Sequence, residues 1–308
     1  MPEERILFIS LSNIGDAVMT TPVLQALHDR FPEARIDIVG DVRSSELFRY
    51  CPCRDRILHK DKRGWLRGGP ALIRELRRRR YQLVVDLRTD GLAWFLRADK
   101  RLTKHRARHY GVHAVERYMG VIRSLHGDRP IPACKVWLND TVRKEAQERL
   151  GEFSGRRLIG LGPGANWHGK IWPPENFVCL IEKVCSRFDG VVLLGNAEDS
   201  KRSEVISEQA GIDCLDFCGR TSLLEAAALL EKVSVFVGND SGLGHMASGV
   251  DTATLTLFGP GRPDVYRPWS ERAYWLVGEG QDIHNIAIED VARVITHDML
   301  AGAETGSR

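Results

Sequence analysis

Short apolar runs, each followed by a stretch of helical period, recur along the chain. Arg5 to Leu11 (RILFISL) is rich in β-branched and aromatic residues on both faces, the pattern of a buried parallel strand. Ala17 to Phe31 follows with apolar residues at Val18, Val23, Leu24 and Leu27, a helical spacing. Pro22 predicts a kink there, or a regular helix beginning at that point. The alternation continues through strands at Arg35 to Gly40, Ile57-Leu58 and Gln82 to Leu87. Helices are predicted at Pro70 to Arg80, Gly91 to Arg97 and Val115 to Leu125, and residues 100–113 show no clean period. The stretch 131–138, opened by Pro130 and Pro132, reads as an extended connector, and Asp140 to Leu150 as a charged amphipathic helix.

After a small polar break at Gly151 to Gly155 the alternation restarts. Strands are predicted at Arg157 to Leu161, Val191 to Leu194, Cys214 to Phe217, Val233 to Val237 and Ala253 to Phe258. Helices fall at Pro174 to Phe188, Glu198 to Ala210, Ser222 to Leu230 (capped from Thr221) and Ile288 to Leu300. Two such series imply two doubly wound α/β domains, 1–155 and 156–308. The last helix is a candidate to pack back on the first domain. In parallel sheets ligands bind beyond the carboxyl ends of the strands. The loops that matter are therefore 12–16, 162–170, 195–199, 238–245 and 259–264, which places a ligand in a cleft between the domains.

The stretch 233–248 (VSVFVGNDSGLGHMAS) is the most telling. A strand runs into a turn thinned by Gly238, Gly242 and Gly244, and a helix starts near Leu243, with Asp240 or Ser241 as its cap. Bare N–H groups and the positive end of the dipole make such a turn an anion site, to which His245 adds a donor. Close packing alone explains the glycines equally well. Asn239-Asp-Ser-Gly is also the setting of a trypsin-like serine, but those proteins are all-β, and the spacing does not fit the Gly-x-Ser-x-Gly elbow of hydrolases. A serine nucleophile is not expected.

Charge changes the picture next. Residues 49–129 hold 22 of the 44 Lys and Arg but 8 of the 41 Asp and Glu. A basic block within an otherwise acidic chain suggests an anionic partner: nucleic acid, an anionic membrane or a phosphorylated substrate. A solvated surface is the better reading for Arg77 to Arg80 alone. The seven cysteines are odd in number and irregular in spacing, so neither a disulfide framework nor structural zinc is expected. Neither a signal peptide nor a membrane span is read, and the expected setting is the reducing cytoplasm.

Five segments taken in order resemble one family. They are Asn13-Ile-Gly-Asp16 with Pro22; Gly162-Pro-Gly164 with Lys170-x-Trp172-Pro173; Leu194-Gly195 with Glu198; Asn239 to Ala247; and Leu257-Phe-Gly-Pro260. The set resembles the bacterial ADP-heptose:lipopolysaccharide heptosyltransferases, glycosyltransferase family 9. The resemblance implies a GT-B fold, two Rossmann-like doubly wound parallel-sheet domains facing across a cleft. It implies transfer of a heptose from ADP-L-glycero-D-manno-heptose to the lipopolysaccharide inner core, with inversion and without a covalent intermediate.

The family's catalytic aspartate falls on Asp16, which spacing alone would make a helix cap; inverting transfer needs such a base. Lys170 matches the cation that stabilises the leaving diphosphate. The donor set is Gly15, Glu198 (towards the ribose), Asp240, Ser241, Gly242, Leu243, Gly244 and His245. No metal or other cofactor is expected, because a lysine and a helix N-terminus supply the counter-charge. The acceptor, Kdo-lipid A or heptosylated inner core, is anionic, as is the inner leaflet of the membrane on which the protein is expected to sit peripherally. Arg63, Arg67, Arg106 and Arg108 are candidate acceptor contacts by loop position. A nucleotide-sugar epimerase or hydrolase on the same scaffold is the main competing expectation. A nucleic-acid module is disfavoured, because Trp65, Trp94, Tyr110 and Tyr118 do not interleave regularly with the charges as a stacking platform would.

Overall fold

The computed structural model describes residues 4–60, 65–88, 91–106 and 110–300, and of 65–67 and 106 the backbone alone. The chain divides into two units, 1–137 and 138–308.

In the first unit the apolar runs form a parallel sheet: β1 (Arg5–Ile9), β2 (Arg35–Gly40), β3 (Arg54–His59), β4 (Tyr81–Asp86) and β5 (Ala98–Thr103), in the order β3-β2-β1-β4-β5. β1 is central and buried from Ile6 to Ile9, which is why its sequence is apolar on both faces. The helix predicted over 17–31 divides into Ile14–Met19 and Thr21–Arg30, and Pro22 sits in the first turn of the second piece, where its missing N–H costs nothing. β5 (ADKRLT) was not legible as a strand: it lies at the sheet edge with Asp99 and Lys100 exposed, so it carries no apolar run. The helix expected over 91–97 is a single 3₁₀ turn, Leu92–Phe95.

The second unit holds β6 (Leu158–Gly162), β7 (Gly190–Leu193), β8 (Cys214–Asp216), β9 (Val235–Asn239), β10 (Ala253–Phe258) and β11 (Ala273–Val277), all parallel, in the order β11-β10-β9-β6-β7-β8. β6, β9 and β10 are buried throughout. β11 (AYWLV) is an edge strand with alternating exposure, and the sequence reading passed over it. Helix Leu223–Lys232 is capped by Ser222 rather than Thr221: Ser222 Oγ accepts from the Glu225 N–H at 3.3 Å, and Glu225 accepts in return from the Ser222 N–H at 2.6 Å.

The domain boundary differs from the expected 155/156. Helix Asp140–Leu150 belongs to the second unit, where Arg143 forms a bidentate pair with Glu231 (2.9 and 3.0 Å) and Arg149 meets Glu225 at 3.2 Å. The last helix also joins the second unit: Val291, Val294, Ile295, Met299 and Leu300 lie in one core with Leu255 and Leu257 of β10. Among the described residues no helix is long and apolar enough to cross a membrane.

Candidate active site

Each sheet has one place where the order of strand addition reverses, and in parallel sheets the loops leaving the neighbouring strands there diverge to open a crevice. In the second unit it lies between β6 and β9. The loops following these strands carry most of the residues singled out above.

Asn239 ends β9 with no exposed surface. Its Oδ1 accepts from the Trp172 N–H at 3.1 Å, and its Nδ2 donates to the Pro163 carbonyl at 3.0 Å and the Gly164 carbonyl at 3.5 Å. One amide thus ties both ends of the loop 163–172 to the end of β9. That loop carries Lys170 on a short 3₁₀ turn, His168–Lys170. Lys170 Nζ donates to Asp240 Oδ2 at 2.5 Å, with both side chains mostly buried. The loop after β10 closes in from the other side: a β-carbon on Gly261 would lie 3.2 Å from the same Asp240 oxygen, and one on Gly259 3.2 Å from the Gly169 carbonyl.

Helix Gly242–Gly249 starts beside this ion pair. Ser241 occupies the cap position, but its side chain makes no cap bond, and among the described residues its buried Oγ has no hydrogen-bond partner. Asp240, the other expected cap, is turned to Lys170. Neither Asp240 nor Ser241 therefore caps the amide groups at the start of the helix, where the positive end of the dipole lies. Leu243 packs towards Gly162, where an added β-carbon would lie 3.4 Å from Leu243 Cδ1, and His245 is buried in the helix.

The loop after β7 adds Glu198, whose side chain is exposed and whose N–H is bound by Asn196 Oδ1 at 2.6 Å. Its neighbour Asp199 is the more constrained carboxylate. Asp199 is buried, accepts from the Asn196 N–H at 3.0 Å and pairs with Arg202 at 3.1 Å. Burial holds its pKa above the ordinary carboxylate value, against the pull of the Asn196 N–H and Arg202. A β-carbon on Gly164 would collide with the Asp199 carboxyl group, which fixes that glycine as the point of contact between the two loops. Asn239 and Asp199 were both missed as positioning residues. The signal for Asn239 was in the sequence: a lone amide closing a fully apolar strand needs buried partners.

In the first unit the reversal lies between β1 and β4. Gly15 and Asp16 occupy the first turn of the helix after β1, half-buried. Asn13, not Asp16, is the cap residue, and Asn13 Nδ2 donates to Asp16 Oδ2 at 2.9 Å. Other charges gather at the same ends of neighbouring strands: Asp41 after β2, Lys60 after β3, and Asp86 and Arg88 at the end of β4. Lys60 is buried; burial pushes its pKa down to about 8, Arg88 adds to the fall and Asp86 opposes it. Of the expected acceptor arginines, Arg63 and Arg108 lie outside the described residues, and for Arg67 and Arg106 only the backbone is described.

Much of the basic block is committed internally. Asp37, 1% exposed, accepts from Arg56, Arg79 and the Tyr81 hydroxyl, and Arg80 pairs with Asp99. Arg101 donates to the Ala93, Leu96 and Ala98 carbonyls.

Known proteins share the fold and, at lower identity, the sequence. A sequence model of glycosyltransferase family 9 (heptosyltransferase) matches residues 90–294. Lipopolysaccharide heptosyltransferase 2 of Salmonella typhimurium is 28% identical over 305 residues, covering 87% of this chain and 86% of its own. The solved structure of Escherichia coli ADP-heptose lipopolysaccharide heptosyltransferase II superposes with a TM-score of 0.80 at 23% identity, covering 97% of this chain and 99% of the other. E. coli heptosyltransferase WaaC with ADP gives a TM-score of 0.79 at 19% identity, covering 94% and 98%. The fold is therefore of the GT-B class, and the chain is an enzyme that belongs to glycosyltransferase family 9, the heptosyltransferases.

Proposed function

We propose that this glycosyltransferase moves a heptose from ADP-L-glycero-D-manno-heptose to the lipopolysaccharide inner core, with inversion at the anomeric carbon. The observation that carries the reading is the Lys170–Asp240 pair beside the uncapped start of helix Gly242–Gly249. A leaving diphosphate gathers negative charge as its bond to the sugar breaks, and preorganised donors are the strongest means of stabilising it. Lys170 and the amide groups from Ser241 to Gly244 take that role, Asp240 orients Lys170 and the sugar, Glu198 takes the ribose hydroxyls, and His245 supports the phosphate loop.

Asp16 acts as the base. It removes the acceptor hydroxyl proton as that oxygen bonds to the anomeric carbon and the carbon–phosphate oxygen bond breaks. Gly15 leaves room for the approach of the donor. The acceptor is Kdo-lipid A or heptosylated inner core, held by arginines of the first unit at the cytoplasmic face of the inner membrane. The counter-charge comes from the protein, and no metal ion is required.

Titration calorimetry with ADP, UDP and GDP, with EDTA and then with magnesium, tests the donor site: selective binding of ADP in EDTA is expected. Transfer to Kdo-lipid A, with the anomeric configuration read by NMR, tests the reaction. Asp16→Asn is expected to bind ADP as the wild type does and to lose at least a hundredfold in turnover, within the range of general base catalysis. Retention of most of the turnover by that variant removes Asp16 as the base.

A further inference from the structure

Two of the seven cysteines face each other across a single residue, in a part of the first unit that the proposed reaction does not use. Cys51 Sγ and Cys53 Sγ lie 3.2 Å apart, one thiol donating to the other, and both residues are buried. Among the described residues no other two thiols lie within hydrogen-bonding distance. The backbone holds the pair in place. Pro52 fixes φ at the second position of a turn that closes when the Arg54 N–H donates to the Cys51 carbonyl at 3.2 Å. The Cys51 N–H donates to the Phe48 carbonyl at 3.1 Å, and the Cys53 carbonyl accepts from the Ile36 N–H of β2 at 3.1 Å. One cysteine is thus tied to the segment before the turn and the other to β2. Two sulfurs that a free chain brings together only part of the time are held in contact by the fold.

Their surroundings set them apart from the other cysteines. Burial raises the thiols of Cys134, Cys214 and Cys218, to about 12, 11 and 12. Cys51 moves the other way: the Cys53 S–H donates to its sulfur and holds the thiolate, against the effect of burial, and the same bond pushes Cys53 up. A thiolate touched by a second thiol is an attacking sulfur with its resolving partner already in place. Closing so short a loop removes little entropy from the unfolded chain, so structural stapling does not account for the pair.

We infer that Cys51 and Cys53 form a reversible dithiol–disulfide couple that closes on reaction with a peroxide. The Cys51 thiolate attacks one oxygen of hydrogen peroxide, the O–O bond breaks, and the second oxygen takes up a proton and leaves as water. Cys51 is then a sulfenic acid. The Cys53 sulfur attacks the Cys51 sulfur, the S–O bond breaks, and the oxygen leaves as water with the proton that Cys53 gives up. In all, two thiols and one peroxide become one disulfide and two waters, with two electrons passing from sulfur to oxygen. A dithiol such as dithiothreitol reopens the bond by exchange. The turn lies at the amino end of the sheet, where it leads into β3, whereas Asp16 and Lys60 follow the carboxyl ends of β1 and β3, so the couple stands apart from the proposed reaction.

Peptide mapping of the full chain tests it. The reduced protein, freed of reductant, is treated with hydrogen peroxide, blocked with N-ethylmaleimide and digested with trypsin. Peptide 50–54 (YCPCR) is expected to lose both alkylation sites, to become lighter by two hydrogens, and to regain both sites after dithiothreitol. Closure is expected to run at least tenfold faster in the folded chain than in urea, because the fold supplies the contact. In Cys53→Ser the Cys51 sulfenic acid has no resolving thiol and is expected to be trapped by dimedone. Cys185→Ser, which removes an exposed thiol, is expected to leave closure unchanged. Thermal melting confirms folding; if Cys53→Ser melts early, Cys53→Ala replaces it, and the mapping of the wild type needs no variant. A peptide 50–54 that stays fully alkylated at peroxide levels that oxidise Cys185 overturns the inference. So does closure no faster in the folded chain than in urea, or disulfides that join Cys51 or Cys53 to other cysteines instead of to each other.

Discussion

Replacing Asn239 tests whether one buried amide organises the loop 163–172. In the wild type its side chain satisfies the Trp172 N–H and the Pro163 carbonyl at 3.1 and 3.0 Å, with a longer contact to Gly164. Asn239→Ala leaves a buried donor and a buried acceptor without partners. Each such group costs roughly 1–3 kcal/mol. The expected destabilisation is therefore about 2–6 kcal/mol, towards the lower end if water enters the gap. Two units make a single unfolding free energy ill-defined. The specific readout is hydrogen exchange at the Trp172 amide, which should accelerate at least tenfold, beside the shift in the urea transition of the second unit.

Asn239→Asp sharpens the test. A carboxylate accepts from the Trp172 N–H but faces the Pro163 carbonyl with no proton to donate. Its pKa in the folded state must rise above the unfolded value, so the penalty is present at neutral pH and is relieved as pH falls through the folded value. This variant should gain stability relative to the wild type on acidification, and the alanine variant should not. Both should lose kcat/KM for the donor, because Lys170 rides on the released loop. Wild-type exchange at Trp172 together with wild-type kinetics in Asn239→Ala would refute the reasoning.

Asp240→Asn removes a negative charge 2.5 Å from Lys170 and leaves that lysine to an incoming phosphate, so calorimetry should show ADP bound several-fold more tightly while kcat falls; weaker ADP binding would mean the carboxylate holds the lysine in place rather than competing for it. Gly164→Ala drives a methyl group into the Asp199 carboxyl and should cost about 1–3 kcal/mol, as overpacking does, with a smaller cost in an Asp199→Ala background; additive losses would break the link between these loops. Lys60, pushed down to about 8 from 10.5, destabilises the fold while it is charged, fully below pH 8 and less as pH rises towards 10.5. The unfolding free energy of the first unit from urea titration should therefore favour Lys60→Met over the wild type by about 2 kcal/mol less at pH 10 than at pH 7; parallel pH profiles would show that Lys60 is not desolvated in the fold.

The interior strands were legible because burial on both faces leaves a continuous apolar run, as at Phe236 and Val237 in β9. β5 and β11 were not, because an edge strand has one solvated side and its residues answer to solvent and charge rather than to period. The break after β9 was legible for a different reason: Gly238, Gly242 and Gly244 interrupt the apolar run where the strand gives way to helix Gly242–Gly249. The capping of its helix was not legible. Sequence offers Asp240 and Ser241 as equivalent caps, and only the position of Lys170, 70 residues away, decides that Asp240 turns aside while Ser241 Oγ stays unpartnered among the described residues. The boundary near 155 was misread for a similar reason. Helix Asp140–Leu150 has no local feature that assigns it to a unit, and its allegiance lies in Arg143 and Arg149 meeting Glu231 and Glu225 across the chain.

The basic block shows how composition can point towards a function and still misdirect as to its residues. Its excess of cations invites assignment to an anionic ligand, yet Arg56 and Arg79 surround one buried carboxylate, Asp37, which would be costly to bury without them. Those arginines answer to acids of their own unit, Asp37 together with Glu75 and Asp55, and say nothing about a partner. Two other groups of cations differ from these: Arg97, Lys100 and Lys104, exposed along the sheet edge, and the buried Lys60, whose pKa Arg88 helps to lower. Lys60 lies at the carboxyl end of its strand, on the same end of the sheet as Asp16, and burial lowers its affinity for a proton. An anionic group arriving there would restore that affinity, so acceptor binding by this unit should take up a proton near pH 8. Calorimetry of the acceptor in two buffers of different ionisation heat would show uptake if Lys60 contacts the anion, and none if the charge is met only at the exposed edge.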